Sequence, residues 1–586
     1  MKMKKALCLA LCATMVVPAA TVFTACDPNS KTTVINCAVH NGGVRWAWLE
    51  EAGARFSALK ENESYAEGKT GVKIEITPGN GLANEAMATD AYNIYFVERT
   101  DTYGFINSDL LLDISEVFDM EDSNGVKLKD RIYPEMMPAL TGDDPNKYYV
   151  LPGWEFYAGI SYDVESFNKI GSWFAAPAAD QPDHITAKDY IVGYPTKYGT
   201  ADMLGPQLKA KKSCGPDGEY GTNDDGLPTS LQEMLILCAY QNGNGVEPIH
   251  ITGKHIGYVN YMVAGLWASL AGYEQMKTIY TFDGTPVECI KLDEDGNMMF
   301  TDEPLFEGIN YIKKPVTEMV PMTMANGYRS NDMAAKYYAT AFLQAINTEV
   351  GLMSADSRDG SVNHTSAELN LLLGGHKLGD TDIKRKGMIV DGTYWWIECE
   401  LDGKHVDYNV VTEMDANDRD IRFMPLPTSL NTTTTEGNGE KNTMLECAMS
   451  VTYVNNNIKD NPELVDACID FLSFLYSEEE LRYFTENTGS MRPINYSTKG
   501  IELDSIFYND LLERRNNSNV VYFAGDNEIF KHNRSGLKVE LSGFVFKPVI
   551  GGVQYHDYIA PMRNGVATAK EIIEATRFHK SSWFVQ

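Results

Sequence analysis

Residues 34–39 (VINCAV) read as a buried strand, and Trp46, Leu49, Ala52, Phe56 and Leu59 then recur with helical spacing. Val72, Ile74 and Ile76 alternate with polar residues and predict a second strand. Residues 93–98 (NIYFVE) predict a third. Strand, helix, strand, strand at this spacing opens an α/β lobe. Further along, Ser230-Leu-Gln-Glu233 has the pattern of a capping box and starts a helix directly after Pro228. Residues 290–300 predict a hairpin that turns at Asp295-Gly296-Asn297. Leu464, Cys468, Phe471 and Leu475 form the apolar stripe of a later helix. Ser477 caps the next, which ends at Gly489. Residues 431–439 (NTTTTEGNG) are low in complexity and predict an exposed loop. With no internal repeat and no Pro-rich linker, the chain is expected to build discontinuous lobes rather than a string of domains.

The N-terminus changes this picture. Lys2, Lys4 and Lys5 precede an uncharged apolar stretch over residues 6–20, and small Thr24 and Ala25 precede Cys26. This is the layout of a signal peptide over residues 1–25, with an apolar core too short to span a bilayer. The small residues before Cys26 resemble a lipobox, which implies that Cys26 becomes the lipidated first residue. Phe23 departs from the aliphatic residue usual there. Residues 26–33 (CDPNSKTT) would then tether the fold to the outer face of the cytoplasmic membrane.

Removing the signal takes away three lysines and no acid, so the net charge of −31 becomes −34. So acidic a surface repels phosphate backbones and argues against nucleic acid as a partner. The cysteines beyond Cys26 (Cys37, Cys214, Cys238, Cys289, Cys399, Cys447 and Cys468) are scattered without a CxxC pair, and several lie in apolar runs. They read as small buried hydrophobes, with neither a disulfide framework nor a zinc site.

Five segments, in order, resemble the family of extracellular solute-binding proteins that includes maltose-binding protein. They are YNIYFVERTDTYGFINSDLLLDISE (92–116), YYVLPGWEFYAGISYDVESF (148–167), GLPTSLQEMLILCAYQNGNGVEPI (226–249), KGMIVDGTYWW (386–396) and TGSMRPIN (488–495). None is specific alone; their order and spacing carry the likeness. The resemblance implies an α/β, two-lobed periplasmic-binding-protein-like fold (type II), with ligand bound in a cleft that closes by hinge motion. Lobe I would comprise residues 34–150 plus 447–495, and lobe II residues 151–446 plus 496–586. Residues 280–382 are longer than the family minimum, and the resemblance does not place them. The implied function is capture of an oligosaccharide by a monomeric lipoprotein and its delivery to the permease subunits of an ABC importer, without enzymatic activity.

A sugar presents an apolar face of C–H bonds and an edge of hydroxyls, so its cleft needs aromatic rings with carboxylates, amides and Arg at the rim. Tyr394, Trp395 and Trp396 follow Asp391 at a strand end, where the resembling motif places a stacking Trp; adjacent residues of an extended chain face opposite ways, so one of the two tryptophans can equally be core. Trp154 and Glu155 lie where the family crosses between lobes, and Glu155 is either a ligand carboxylate or half of a hinge ion pair. Glu98, Arg99 and Asp101 follow a strand, in the kind of loop that lines ligand crevices or is simply solvated. Tyr258, Asn260 and Tyr261 match a helix that touches sugar in the family, or form an ordinary amphipathic face. The His40-Asn41-Gly42-Gly43 turn offers Asn41 and backbone N–H groups, and Arg492 lies in a loop after Gly489.

Oxygen side chains recur at Asp217, Glu219, Asn223 and Asp225, the ligand type Ca²⁺ requires, but the loop lacks the late Glu and sixth-position Gly of an EF-hand and reads equally as an acidic turn. A structural Ca²⁺ is therefore one expectation for this loop; no other cofactor is expected. No HExxH, G-x-S-x-G or phosphate-cradling loop is present. The competing readings are a surface glycoside-active enzyme with a hidden carboxylate pair, or a peptide-binding or adhesin lipoprotein of the same fold.

Overall fold

The computed structural model describes residues 31–79, 85–98, 101–122, 125–176, 211–251, 256–354, 357, 364–378, 381–398, 418–430, 442–522, 549–554, 559–563 and 565–583. Cys26, Arg99, Cys399 and the 431–439 segment lie outside them.

The first strand, β1 (Thr33–His40), is buried at Ile35, Cys37, Ala38 and Val39 and pairs in parallel with β2 (Val72–Gly79) on one side and β3 (Ile94–Glu98) on the other. Thr33 is already in register with Val72, so any tether ends before it. Between β1 and β2, helix α1 (Ala47–Leu59) buries Trp48, Leu49, Ala52 and Phe56. Leu59, the expected end of its stripe, is 64% exposed, because the helix ends there and the chain turns away at Lys60.

This sheet is completed from distant parts of the chain. Strand β9 (Ser450–Val454) runs antiparallel between β3 and β4 (Val150–Pro152), giving the order β2-β1-β3-β9-β4. Helix α5 (Pro462–Leu475) packs back on β1 through the expected stripe. Helix α6 (Glu478–Thr488) begins at the Ser477 cap and ends at Gly489 in the left-handed conformation.

A second, four-stranded sheet has the order β8-β5-β7-β6, from β5 (Ala158–Asp163), β6 (Glu247–Ile251), β7 (Lys386–Gly392) and β8 (Ile421–Phe423). Strand β7 is buried throughout, as the central strand of a sheet covered on both faces must be. Helix α2 (Leu231–Gly243) starts as expected, with Ser230 accepting from the Glu233 N–H, but the Glu233 carboxylate reaches one residue further back, to the Thr229 N–H and hydroxyl. The long α3 (Ile256–Thr281), kinked at Gly272, packs on β5 and β7.

Residues 280–382 form an addition to this second lobe. Strand Asp283–Ile290 pairs with Thr317–Thr323, and Phe300–Phe306 pairs with Ile309–Pro315. Helix Ala334–Thr348 packs on α3. The turn at Asp295-Gly296-Asn297 is present, closed by the Asp293 N–H donating to the Asn297 carbonyl, yet the expected hairpin is no more than the bridge Leu292–Met298, since Ile290 pairs with Thr317 instead.

Two short antiparallel segments join the lobes: 153–157 leads from β4 into β5, and 446–449 leads back into β9. They pair at one end through Gly153 N–H to the Ser450 carbonyl and at the other through Cys447 N–H to the Phe156 carbonyl. Helix α7 (Ile506–Asn517) packs on β8.

Candidate functional site

Loops from both sheets meet over the crossing segments. From the first lobe, the turn after β1 brings His40, Asn41 and Gly43, and the end of β3 brings Glu98. Gly43 is left-handed (φ 57°), and a Cβ there would lie 2.5 Å from the Phe156 ring and 3.3 Å from Glu98 Oε1. The glycine is thus needed for the loop to close on the crossing segment. Glu98 accepts a hydrogen bond from the Trp154 indole N–H at 2.8 Å, and His40 Nε2 stands 3.7 Å from its other oxygen. Phe156 meets Tyr394 edge to face at 5.0 Å. Tyr394 in turn stands 6.1 Å from Tyr258 and 6.0 Å from Tyr261, whose hydroxyl it meets at 2.9 Å.

The site is therefore a carboxylate and an imidazole from one lobe facing an aromatic group from the other, with Trp154 and Phe156 between. His40 and Tyr258 remain partly open to solvent and Asn41 is exposed, whereas Trp154, Phe156, Tyr261 and Tyr394 are buried behind them. Asn260, on the same helical turn as the tyrosines, is buried, and neither its Oδ1 nor its Nδ2 has a partner among the described residues. An amide left so costs about 1–3 kcal/mol.

Other expected ligand residues are placed differently. Trp395 and Trp396 are 0% and 1% exposed. They open a short helix, α4 (Trp395–Glu398), rather than extending a strand, and both pack on Phe507 of α7, Trp396 in a stack at 5.4 Å. Trp395 also donates to the Ser161 hydroxyl. Neither ring offers a face to a sugar in this conformation. Asp391 is buried in β7, and its Oδ1 accepts from the Gly392 N–H.

Glu155 is the hinge ion pair. It is buried and receives Arg515 at both oxygens, the Tyr522 hydroxyl at 2.7 Å and the Tyr157 hydroxyl. Burial pushes its carboxyl up, but the Arg515 charge and these hydrogen bonds outweigh it and hold the group below its ordinary value. Arg492 does not reach the cleft: it is fully buried, boxed by Trp48, Tyr476 and Phe484, with its guanidinium 5.1, 4.6 and 4.4 Å from their ring centres. Asp101 caps the short helix Thr102–Asn107 by accepting from the Gly104 N–H.

The acidic loop does not assemble the expected cation cage. Asp217 accepts from the Glu219 N–H, Asp225 from the Gly221 N–H, and Asn223 binds Glu513 and Arg422 instead of turning inward. Among the described residues no three His, Cys, Asp or Glu side chains converge as metal ligands. A cavity of about 380 Å³ beside this loop is lined by Asp217, Asp224, Phe423, Leu426, Met444 and Arg514. All these residues lie in the second lobe.

Phe156 and the His40 imidazole are the members of the site that sequence reasoning passed over. The aromatic density of Trp154-Glu155-Phe156-Tyr157 in a crossing segment was the available signal.

A scan against protein-family models and a comparison with curated proteins find no match. Among solved structures, a chitin oligosaccharide binding protein is similar over 94% of this chain and 98% of its own, at 11% identity and a TM-score of 0.52. A binding protein from Bacillus subtilis in an open conformation (10% identity, 93% of this chain and 96% of its own, TM-score 0.45) and a family 1 extracellular solute-binding protein from Bifidobacterium longum subsp. infantis (12%, 93% and 98%, TM-score 0.44) match more weakly. The fold assignment rests on the first. The chain has the two-lobed α/β fold of the extracellular solute-binding proteins.

Proposed function

We propose that this chain is a lipid-anchored extracellular solute-binding protein that captures an oligosaccharide and delivers it to an ABC importer, without chemical turnover. The observation that carries the reading is the assembly of Glu98 and His40 from one lobe against Tyr258, Tyr261 and Tyr394 from the other, across Trp154 and Phe156. The half-buried Tyr258 ring, backed by the buried Tyr261 and Tyr394, can meet a sugar's C–H face beside Glu98 and His40 for its hydroxyl edge. A ligand held by both lobes favours the closed arrangement of the two, which is the form a membrane partner can distinguish from the empty one. That the similar solved structure is an oligosaccharide binding protein supports the same class of ligand.

The anchor rests on Cys26 and the signal before it. Cys26→Ala should move the protein from the membrane fraction to the medium or leave an uncleaved precursor; a lipid-modified mature form of that variant would refute the anchor. The ligand class is tested by a thermal-shift screen against a glycan panel, because a ligand of the folded state raises the melting temperature. Saturable stabilisation without new products supports the carrier. Turnover of the glycan would establish the enzyme, and a blank panel would leave a peptide ligand as the better reading.

A further inference from the structure

Arg492 follows the left-handed Gly489 that ends α6, and the turn carries its guanidinium into the first lobe, among Trp48, Tyr476 and Phe484. Nη1 donates to the Gly153 carbonyl at 3.4 Å and to the Tyr476 hydroxyl at 3.0 Å. Among the described residues the buried Nε has no hydrogen-bond partner, and no carboxylate forms an ion pair with the group. The three rings attract the cation but do not neutralise it, and a buried charge is costly unless an opposite charge meets it.

A small cavity lies between α1 and α6, lined by Trp48 and Arg55 of the first, by Glu480, Phe484 and Asn487 of the second, and by Arg492. The Phe484 and Trp48 rings on its wall stand 4.4 and 5.1 Å from the Arg492 guanidinium, which places that charge on the cavity side. The space suits one group the size of a water molecule or a halide ion. Among the described residues Glu480 is the one carboxylate on its wall, and Arg55 takes both its oxygens, Nε to Oε1 at 2.8 Å and Nη2 to Oε2 at 2.6 Å. Glu51, 4.0 Å from Arg55, is exposed and does not line the cavity. Two guanidinium ions against one carboxylate leave the wall one positive charge in excess. A water molecule would satisfy Nε without balancing that charge; a monovalent anion does both. We propose that this cavity binds a small monovalent inorganic anion of the size and charge of chloride, held by Arg492 with Arg55 beside it. The ion ties α1 to α6 and strengthens the first lobe without entering the cleft. The net negative charge of the chain does not forbid it, because surface charges beyond about 8–10 Å are largely screened at physiological ionic strength.

The test is a thermal melt of the full-length mature protein, without glycan, in sodium chloride or sodium bromide against sodium gluconate at equal ionic strength. The wild type should melt higher in either halide, and the gain should saturate; at about ten times the Kd the folded-to-unfolded ratio rises about 11-fold. Asn487 is exposed at the mouth of the cavity, so Asn487→Asp should keep the fold and bring a permanent counter-charge to it. In gluconate this variant should melt above the wild type, and it should lose the response to halide. Crystals grown in sodium bromide locate the ion by anomalous scattering, with a peak beside Arg492 in the wild type and none there in Asn487→Asp. No halide response in the wild type, an equal response in both proteins, or bromide-grown wild-type crystals without a peak beside Arg492 would each overturn the proposal. Because no glycan is used, the result is independent of the oligosaccharide reading.

Discussion

Arg515 grips Glu155 from 360 residues away, Nε to Oε2 and Nη2 to Oε1, both at 3.0 Å. Arg515 stands on α7 of the second lobe and Glu155 on the first crossing segment. The same Nη2 reaches the hydroxyl of Tyr133 in the first lobe at 3.1 Å. Glu155 thus spends its lone pairs inside the hinge and has none to offer a sugar.

Removing one member of such a pair leaves the other charge buried. Arg515→Met should lower the unfolding free energy by about 3–5 kcal/mol. Glu155→Gln, which leaves a cation with other partners nearby, should cost less. Urea denaturation of both variants checks the order; equal, small losses would mean that the pair is exchangeable with solvent.

Trp395 and Trp396 bear on stability in the same way. Each is enclosed against Phe507, so Trp395→Ala and Trp396→Ala should each cost about 3–5 kcal/mol. Thermal melts are the check. A variant that keeps the wild-type melting temperature and loses only ligand would return that tryptophan to the cleft.

These two cases show what the sequence could and could not disclose. Local periodicity placed β1, β2, β3, α1 and α5, and cap chemistry placed the starts of α2 and α6, because each signal is complete within a few residues. The tyrosines at 258, 261 and 394 and the carboxylate Glu98 were legible as candidates, and the structure brings them together across Trp154 and Phe156. The roles of Glu155, Arg492, Trp395 and Trp396 depended on Arg515, on Trp48 with Tyr476 and Phe484, and on Phe507, partners that no local pattern announces. A Trp after a buried strand looks the same whether it faces a cleft or a helix packed behind it.

The hinge carboxylates give the protein a pH signature. Glu446 is pushed up to about 8 by burial and by the Glu155 charge beside it, and Tyr280 of α3 faces it as well. A carboxyl whose folded value is raised holds its proton longer in the folded state, so its contribution is complete below about 4.5 and is lost as pH rises through about 8. Glu233, raised to about 7 by burial, acts in the same direction. Across this window the melting temperature of Glu446→Gln, which never ionises, should rise relative to that of the wild type and exceed it above pH 8. Parallel curves from pH 5 to pH 9 would show that Glu446 keeps an ordinary value in the fold.

The central claim, that Glu98 and the tyrosine group form one oligosaccharide site spanning both lobes, is tested most directly by calorimetric titration. The titrant is the glycan that most raises the melting temperature, and the proteins are the wild type, Tyr258→Ala and Glu98→Gln. Tyr258 is half-buried, and its loss should leave the fold intact. The account predicts that Tyr258→Ala weakens binding by about 2 kcal/mol, roughly 30-fold in Kd, and that Glu98→Gln weakens it by a smaller factor. Wild-type affinity in both variants would place the ligand elsewhere and contradict the account.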